Sequence, residues 1–126
     1  MQEARIVKQP HHQTAPFVIP TTDGKRIEEH FGLASVARGD FSIAHMVVPA
    51  GWSEPAQVPE FDEVTMMVSG RKRVEVDDEV VELHAGESLF VPRGSRVRYA
   101  NPYDEPAEYW SLCIPAFTAE RARREW

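Results

Sequence analysis

Residues 51–70 read GWSEPAQVPEFDEVTMMVSG. One glycine opens the stretch and another closes it, Glu63 heads an apolar run, and Gln57 and Pro59 stand two apart just before it. Side chains of a strand alternate between two faces. If Glu63 faces an interior, Thr65 and Met67 follow it, while Val64, Met66 and Val68 face the other way. A second stretch, residues 86–101, carries Gly86, Pro92, Gly94, Val97 and Asn101. Its Pro92-Arg93-Gly94 reads as a turn that closes one strand and opens the next. With Val97 inward, Tyr99 and Asn101 point inward too, and Arg98 points out.

Outward from these stretches, ten prolines and seven glycines divide the chain into short β-prone runs. They are FVI (17–19), DFSIAHMVV (40–48), EVTMMV (63–68), KRVEV (72–76), VVELH (80–84), SLFVP (88–92), RVRYA (96–100) and EYWSLCI (108–114). Asp77-Asp78-Glu79 reads as a hairpin loop. About eight closely spaced strands indicate an all-β sandwich or barrel. Two segments read as helical: RIEEHFGLA (26–34), interrupted by Gly32, and TAERARREW (118–126), with Thr118 as N-cap.

The length, 126 residues, suits one domain with a core that needs no staples. The sequence predicts a single unit over 1–126, with core motifs at 51–101, an N-terminal arm at 1–16 and a C-terminal helix at 118–126. A lone cysteine, Cys113, cannot form an internal disulfide. The start, MQEARIVKQPHHQ, lacks the apolar segment of a secretory signal. A net charge of −6 argues against a nucleic-acid partner and for a cytoplasmic protein, and no run approaches the roughly 18 apolar residues that a membrane span needs. RKR (71–73) and RARR (121–124) read as solvated surface.

Together the two stretches resemble the paired motifs of the cupin superfamily, a small double-stranded β-helix or jelly-roll barrel. The family's first motif runs glycine, five residues, His-x-His, three or four residues, glutamate, six residues, glycine. Gly51, Gln57, Pro59, Glu63 and Gly70 keep that spacing. The second runs glycine, five residues, Pro-x-Gly, two residues, histidine, three residues, asparagine. Gly86, Pro92, Gly94, Val97 and Asn101 keep it as well. The resemblance implies an all-β cupin barrel and, since small cupins often pair through their sheets, a homodimer.

In metal-bearing cupins three histidines and a glutamate hold a divalent ion. The matching positions here are Gln57, Pro59, Val97 and Glu63. Pro59 and Val97 offer no lone pair, and the Gln57 amide oxygen is a poor ligand for transition metals. The sequence therefore predicts no resident metal. A loosely held divalent ion on Glu63 and Gln57, with further oxygens from Glu54, Glu60 or Tyr99, is the alternative.

A buried carboxylate is costly unless it has partners or a task. Glu63, Gln57, Tyr99 and Asn101 are the polar groups that the register gathers, with Met67 and Val97 as walls and His45 within reach on an earlier strand. The expected function is small-molecule binding by this pocket. The alternative is an isomerase, epimerase or lyase, with Glu63 as general base and Tyr99 as acid or oxyanion donor. Departure from the histidine set is also similar to ethanolamine-utilisation cupins. A bland alternative remains: a filled barrel with Glu63 hydrogen-bonded to Gln57, serving as scaffold for an interaction surface. His11 and His12 read as part of a flexible tail, His30 and His84 as surface turn residues. Trp52 reads as mouth or packing, and Trp110 and Trp126 as core or dimer contacts.

Overall fold

The computed structural model describes residues 9–125. Nine strands and two short helices follow in the order β1 (Phe17–Ile19), β2 (Arg26–Phe31), α1 (Leu33–Val36), β3 (Ser42–Val48), β4 (Asp62–Ser69), β5 (Arg71–Val76), β6 (Glu79–His84), β7 (Ser88–Val91), β8 (Val97–Ala100), β9 (Ala107–Ile114) and α2 (Ala119–Ala122). They form a six-stranded sheet, β1-β2-β3-β9-β4-β7, and a three-stranded sheet, β6-β5-β8. All the pairings are antiparallel. Isolated bridges from Ser53 to Ala100 and from Gln57 to Val97 extend the smaller sheet along the 51–58 segment. This is the all-β jelly-roll barrel expected from the motif spacing.

Alternation places the core. Along β9, Ala107, Tyr109, Ser111 and Cys113 are buried, and the residues between them are half-buried. On β4, Glu63, Thr65 and Met67 turn inward, while Met66 and Val68 are exposed. Val48, Trp52, Met67, Val74, Leu83, Val91, Val97, Tyr99, Ala107 and Tyr109 form one apolar cluster drawn from both sheets. Phe61, Cys113 and Ala122, with Phe117 against them, form a smaller one. Gly70 joins β4 to β5 at φ 75°. A Cβ there would collide with the Pro106 carbonyl, so the turn excludes any side chain.

Several expectations are corrected. Residues 26–31 form β2 rather than a helix, because Ile27 and Glu29 pair with β3 and sheet contacts override local propensity. Only Leu33 and Ala34 of that segment are helical, as the start of Leu33–Val36. The C-terminal helix is confined to Ala119–Ala122. Thr118 caps it, its Oγ1 accepting from the Arg121 N–H at 3.0 Å, and Arg123 ends it at φ 52°. The described part of the N-terminal arm lies against β2: the His11 ring packs edge-on to Phe31 at 5.2 Å, and Gln13 donates to the His30 carbonyl at 2.8 Å. Among the described residues no helix is long and apolar enough to cross a membrane. Trp126 lies outside the described residues.

Candidate functional site

Next to the apolar clusters, and sharing Tyr99, Tyr109, Phe61 and Cys113 with them, lies a cavity of about 70 Å³ that also takes in polar and charged groups. The two sheets deliver its central groups. Glu63 arrives on β4, Ser111 on the neighbouring β9 and Tyr99 on β8 across the barrel. The Tyr99 hydroxyl donates to Glu63 Oε1 at 2.9 Å, and Ser111 Oγ donates to Oε2 at 2.5 Å. The carboxylate is only 9% exposed and both oxygens are engaged. Hydrogen bonds of this kind stabilise the charged acceptor more than neutral pairs do. Burial and the adjacent Glu63 charge push the Tyr99 hydroxyl well above its ordinary range, so Tyr99 stays a proton donor. The same two influences hold the Cys113 thiol protonated.

A second polar group lines the same cavity. Glu54 Oε2 accepts from Lys25 Nζ at 3.1 Å and lies 3.5 Å from Arg124 Nη2. Arg124 also donates from Nε to Gln57 Oε1 at 3.3 Å. The chain brings this arginine back after α2. Residues 123–125 pair with residues 56–58, through Glu125 N–H to Ala56 O at 2.7 Å and a bridge from Gln57 to Arg124.

Lys72 is the third contribution, and the sequence reading placed it on the surface. That expectation is corrected. On β5, Lys72 and Val74 point inward while Arg73 points out, leaving Lys72 2% exposed. Its Nζ sits 3.6 Å from the ring centre of Tyr109 and 4.1 Å from that of Tyr99. Burial pushes this amine down to about 7, against the opposing pull of Glu63 and Glu54. The reading of RARR as plain surface fails as well, since Arg124 reaches the cavity.

Among the residues singled out from sequence, Glu63, Tyr99 and Gln57 line the cavity. Gln57 bonds to Arg124 rather than to Glu63. Met67 and Val97 belong to the apolar cluster instead of the cavity wall. Asn101 is fully buried but serves the loops: its Nδ2 donates to the carbonyls of Pro49 and Glu105, and its Oδ1 accepts from Tyr103 N–H. His45 faces away from the interior. It lies between Glu28 and Glu108, at 3.3 and 2.6 Å, with its ring against Trp110. The reason is alternation, since Ala44 and Met46 on either side take the inward face. His30 is on strand β2, also against Trp110, rather than in a turn. Trp52 packs in the core and donates to Asp23 at 2.8 Å.

The positions that hold an ion in metal-bearing cupins do not fit one here. The Gln57 oxygen is bonded to Arg124, both Glu63 oxygens accept from hydroxyls, and Pro59 and Val97 carry no donor atom. Among the described residues no group of three or more His, Cys, Asp or Glu side chains is placed to hold a metal ion.

Comparison with known proteins gives a family match over residues 44–115, to the family described as "Cupin domain". A Myxococcus xanthus protein named Endoribonuclease YbeY is 47% identical over 108 residues, which is 86% of this chain and 37% of that protein. This chain thus spans little more than a third of that relative. Among solved structures, an RmlC-like cupin from Shewanella frigidimarina superposes with a TM-score of 0.71 at 18% identity, covering 87% of this chain and 96% of the other. A variant of Streptomyces PAC13 with uridine also gives 0.71, at 16% identity, covering 95% and 92%. At such identities the structural likeness speaks for the fold alone.

Proposed function

The chain belongs to the cupin family, and on that premise we propose that its barrel binds a small organic molecule in the cavity around Glu63. The observation that carries this reading is the buried Glu63 carboxylate, held by two hydroxyls on a cavity lined by both charged groups and apolar walls. Convergent polar groups over apolar walls are the usual make-up of a ligand site. A carboxylate suits a ligand that offers a hydroxyl or an amine. The cavity volume of about 70 Å³ favours a molecule of few heavy atoms, and the net charge of −6 disfavours a polyanion such as RNA.

An enzymatic reading is favoured by one specific feature. Glu63 can accept a proton, while Tyr99 holds its own and donates a hydrogen bond, so a base and a donor share one cavity. This arrangement suits an isomerase, epimerase or lyase acting through side chains. Pairing with a second copy through the outer face of β4, where Met66, Val68 and the neighbouring Phe90 are exposed, accords with the family.

The test is a thermal-shift screen of the full chain against small polyols, amines, sugars and carboxylates. A genuine site ligand raises the melting temperature by mass action, and Glu63→Gln removes the rise while the barrel still folds. Hits that survive in Glu63→Gln would move the site elsewhere.

A further inference from the structure

Among the described residues, Lys72 is the one charged side chain lining the cavity that has no hydrogen bond and no carboxylate within ion-pair reach. Lys25 has Glu54, and Arg124 has Glu54 and Gln57. Glu63 has Tyr99 and Ser111, and Glu29 accepts from Ser35 N–H at 2.7 Å. Lys72 has only the faces of Tyr99 and Tyr109. Aromatic faces stabilise a cation, but an ammonium carries three N–H donors that rings satisfy poorly. Facing the cavity, those donors meet no protein acceptor among the described residues, and a donor left unmet costs free energy. This site therefore accommodates a positive charge better than it accommodates an ammonium.

An iminium ion meets that condition. It keeps the charge between the two rings and carries one N–H in place of three. We propose that Lys72 condenses reversibly with a small aldehyde or ketone admitted to the cavity, forming an imine on its side chain. The inference rests on the cavity being a small-molecule site, and it names carbonyl compounds as the ligand class.

The Lys72 Nζ lone pair attacks the carbonyl carbon as the C=O electron pair passes to oxygen. That oxygen takes a proton, and nitrogen gives one up. The resulting carbinolamine expels its hydroxyl with a further proton as water. Amine plus carbonyl plus that proton thus gives the iminium plus one water, with no oxidant or reductant, and loss of the N–H proton gives the neutral imine. Glu63, whose charge acts on this amine more strongly than that of Glu54, is the group available to move protons within the cavity. An amine held down to about 7 has a large neutral, nucleophilic fraction near neutrality, and apolar walls such as Ile27, Met46 and Phe61 limit the water that would reverse the step.

The sequence contains three lysines, at 8, 25 and 72, so an adduct is readily mapped. The full chain is incubated with glycolaldehyde and sodium cyanoborohydride, digested and analysed by mass spectrometry. At about pH 7.5 the amine held down to about 7 is largely neutral, and the Lys72 adduct should exceed those at Lys8 and Lys25 by about tenfold or more. Its yield should rise with pH through about 7, and Lys72→Met should abolish it. Adducts spread over the other amines, with Lys72 unmodified in the wild-type chain, overturn the proposal whether or not the variant folds. Ethylene glycol, which cannot form an imine, separates the two readings by thermal shift. If its Glu63-dependent shift persists while Lys72 stays unmodified, the imine fails and the pocket stands. If Lys72 is trapped without such a shift, the amine chemistry stands and the Glu63-centred site does not.

Discussion

Three strands pass from one end of the barrel to the other and change character on the way. Strand β4 gives Met67 to the apolar cluster and Glu63 to the cavity, β5 gives Val74 and then Lys72, and β9 gives Ala107 and then Ser111. The backbone is the same ladder throughout, and only the inward side chains differ. The main cluster fills its space with hydrocarbon and shares Tyr99 and Tyr109 with the cavity wall. The other end holds three carboxylates (Glu29, Glu54 and Glu63) and three basic groups (Lys25, Lys72 and Arg124) around a cavity. The difference teaches that burial at the apolar end can support an interior at the polar end that would be unfavourable alone. Buried charge tends to be tolerated where it serves a site.

That division of labour can be broken by experiment. The largest effect is expected at the apolar end, where Met67→Ala should cost about 2–5 kcal/mol in urea unfolding. The protein that remains folded should keep its Glu63-dependent ligand shift, and a parallel loss of binding would show that the two ends are not separable. Next comes Tyr99→Phe, which deletes the donor to Glu63 and should cost about 1.5–3 kcal/mol while weakening ligand binding. Unchanged stability and unchanged binding would remove Glu63 from the centre of the site.

The smallest effect has the opposite sign. Replacing Lys72, which has no ion-pair partner, by methionine should stabilise the fold by roughly 1 kcal/mol or more, because the desolvation of a buried amine, only partly offset by Glu63 and Glu54, disappears. The pH dependence sharpens this. The folded Lys72 amine is held down to about 7, below its unfolded value near 10.4, so between those limits the unfolded chain binds the extra proton. Wild-type stability attributable to Lys72 therefore rises with pH across that window, and the advantage of Lys72→Met should be greatest below pH 7 and shrink toward pH 10. A flat difference would mean that Lys72 is solvated.

Much of this barrel was legible in the order of residues. The glycine and proline spacing of 51–101 fixed the turns, and alternation correctly turned Glu63, Thr65, Met67, Val97 and Tyr99 inward. What escaped was polar. Lys72 stands between two arginines and looks like surface charge, although the same alternation that buries Val74 buries it. Ser111 lies in a strand marked out by its apolar neighbours, and a single hydroxyl among them carries no sign of its inward position. Arg124 had no local signal, because a backbone bridge to Gln57, far away in sequence, brings it to the cavity. His45 and Asn101 failed for the converse reason: their chemistry suggested a site, while strand facing and loop hydrogen bonding decided where they went.

Cys113, the sole cysteine, sits on the cavity wall with its sulfur 3.9 Å from Ser111 Oγ. Its thiol is kept protonated by burial and by the neighbouring Glu63 charge, and a protonated thiol is a poor nucleophile. A small electrophile admitted to the cavity therefore meets a protonated sulfur of low nucleophilicity. Reagents too large for a cavity of about 70 Å³ reach that atom only when the fold opens, which makes the lone sulfur an internal clock for how often the interior breathes.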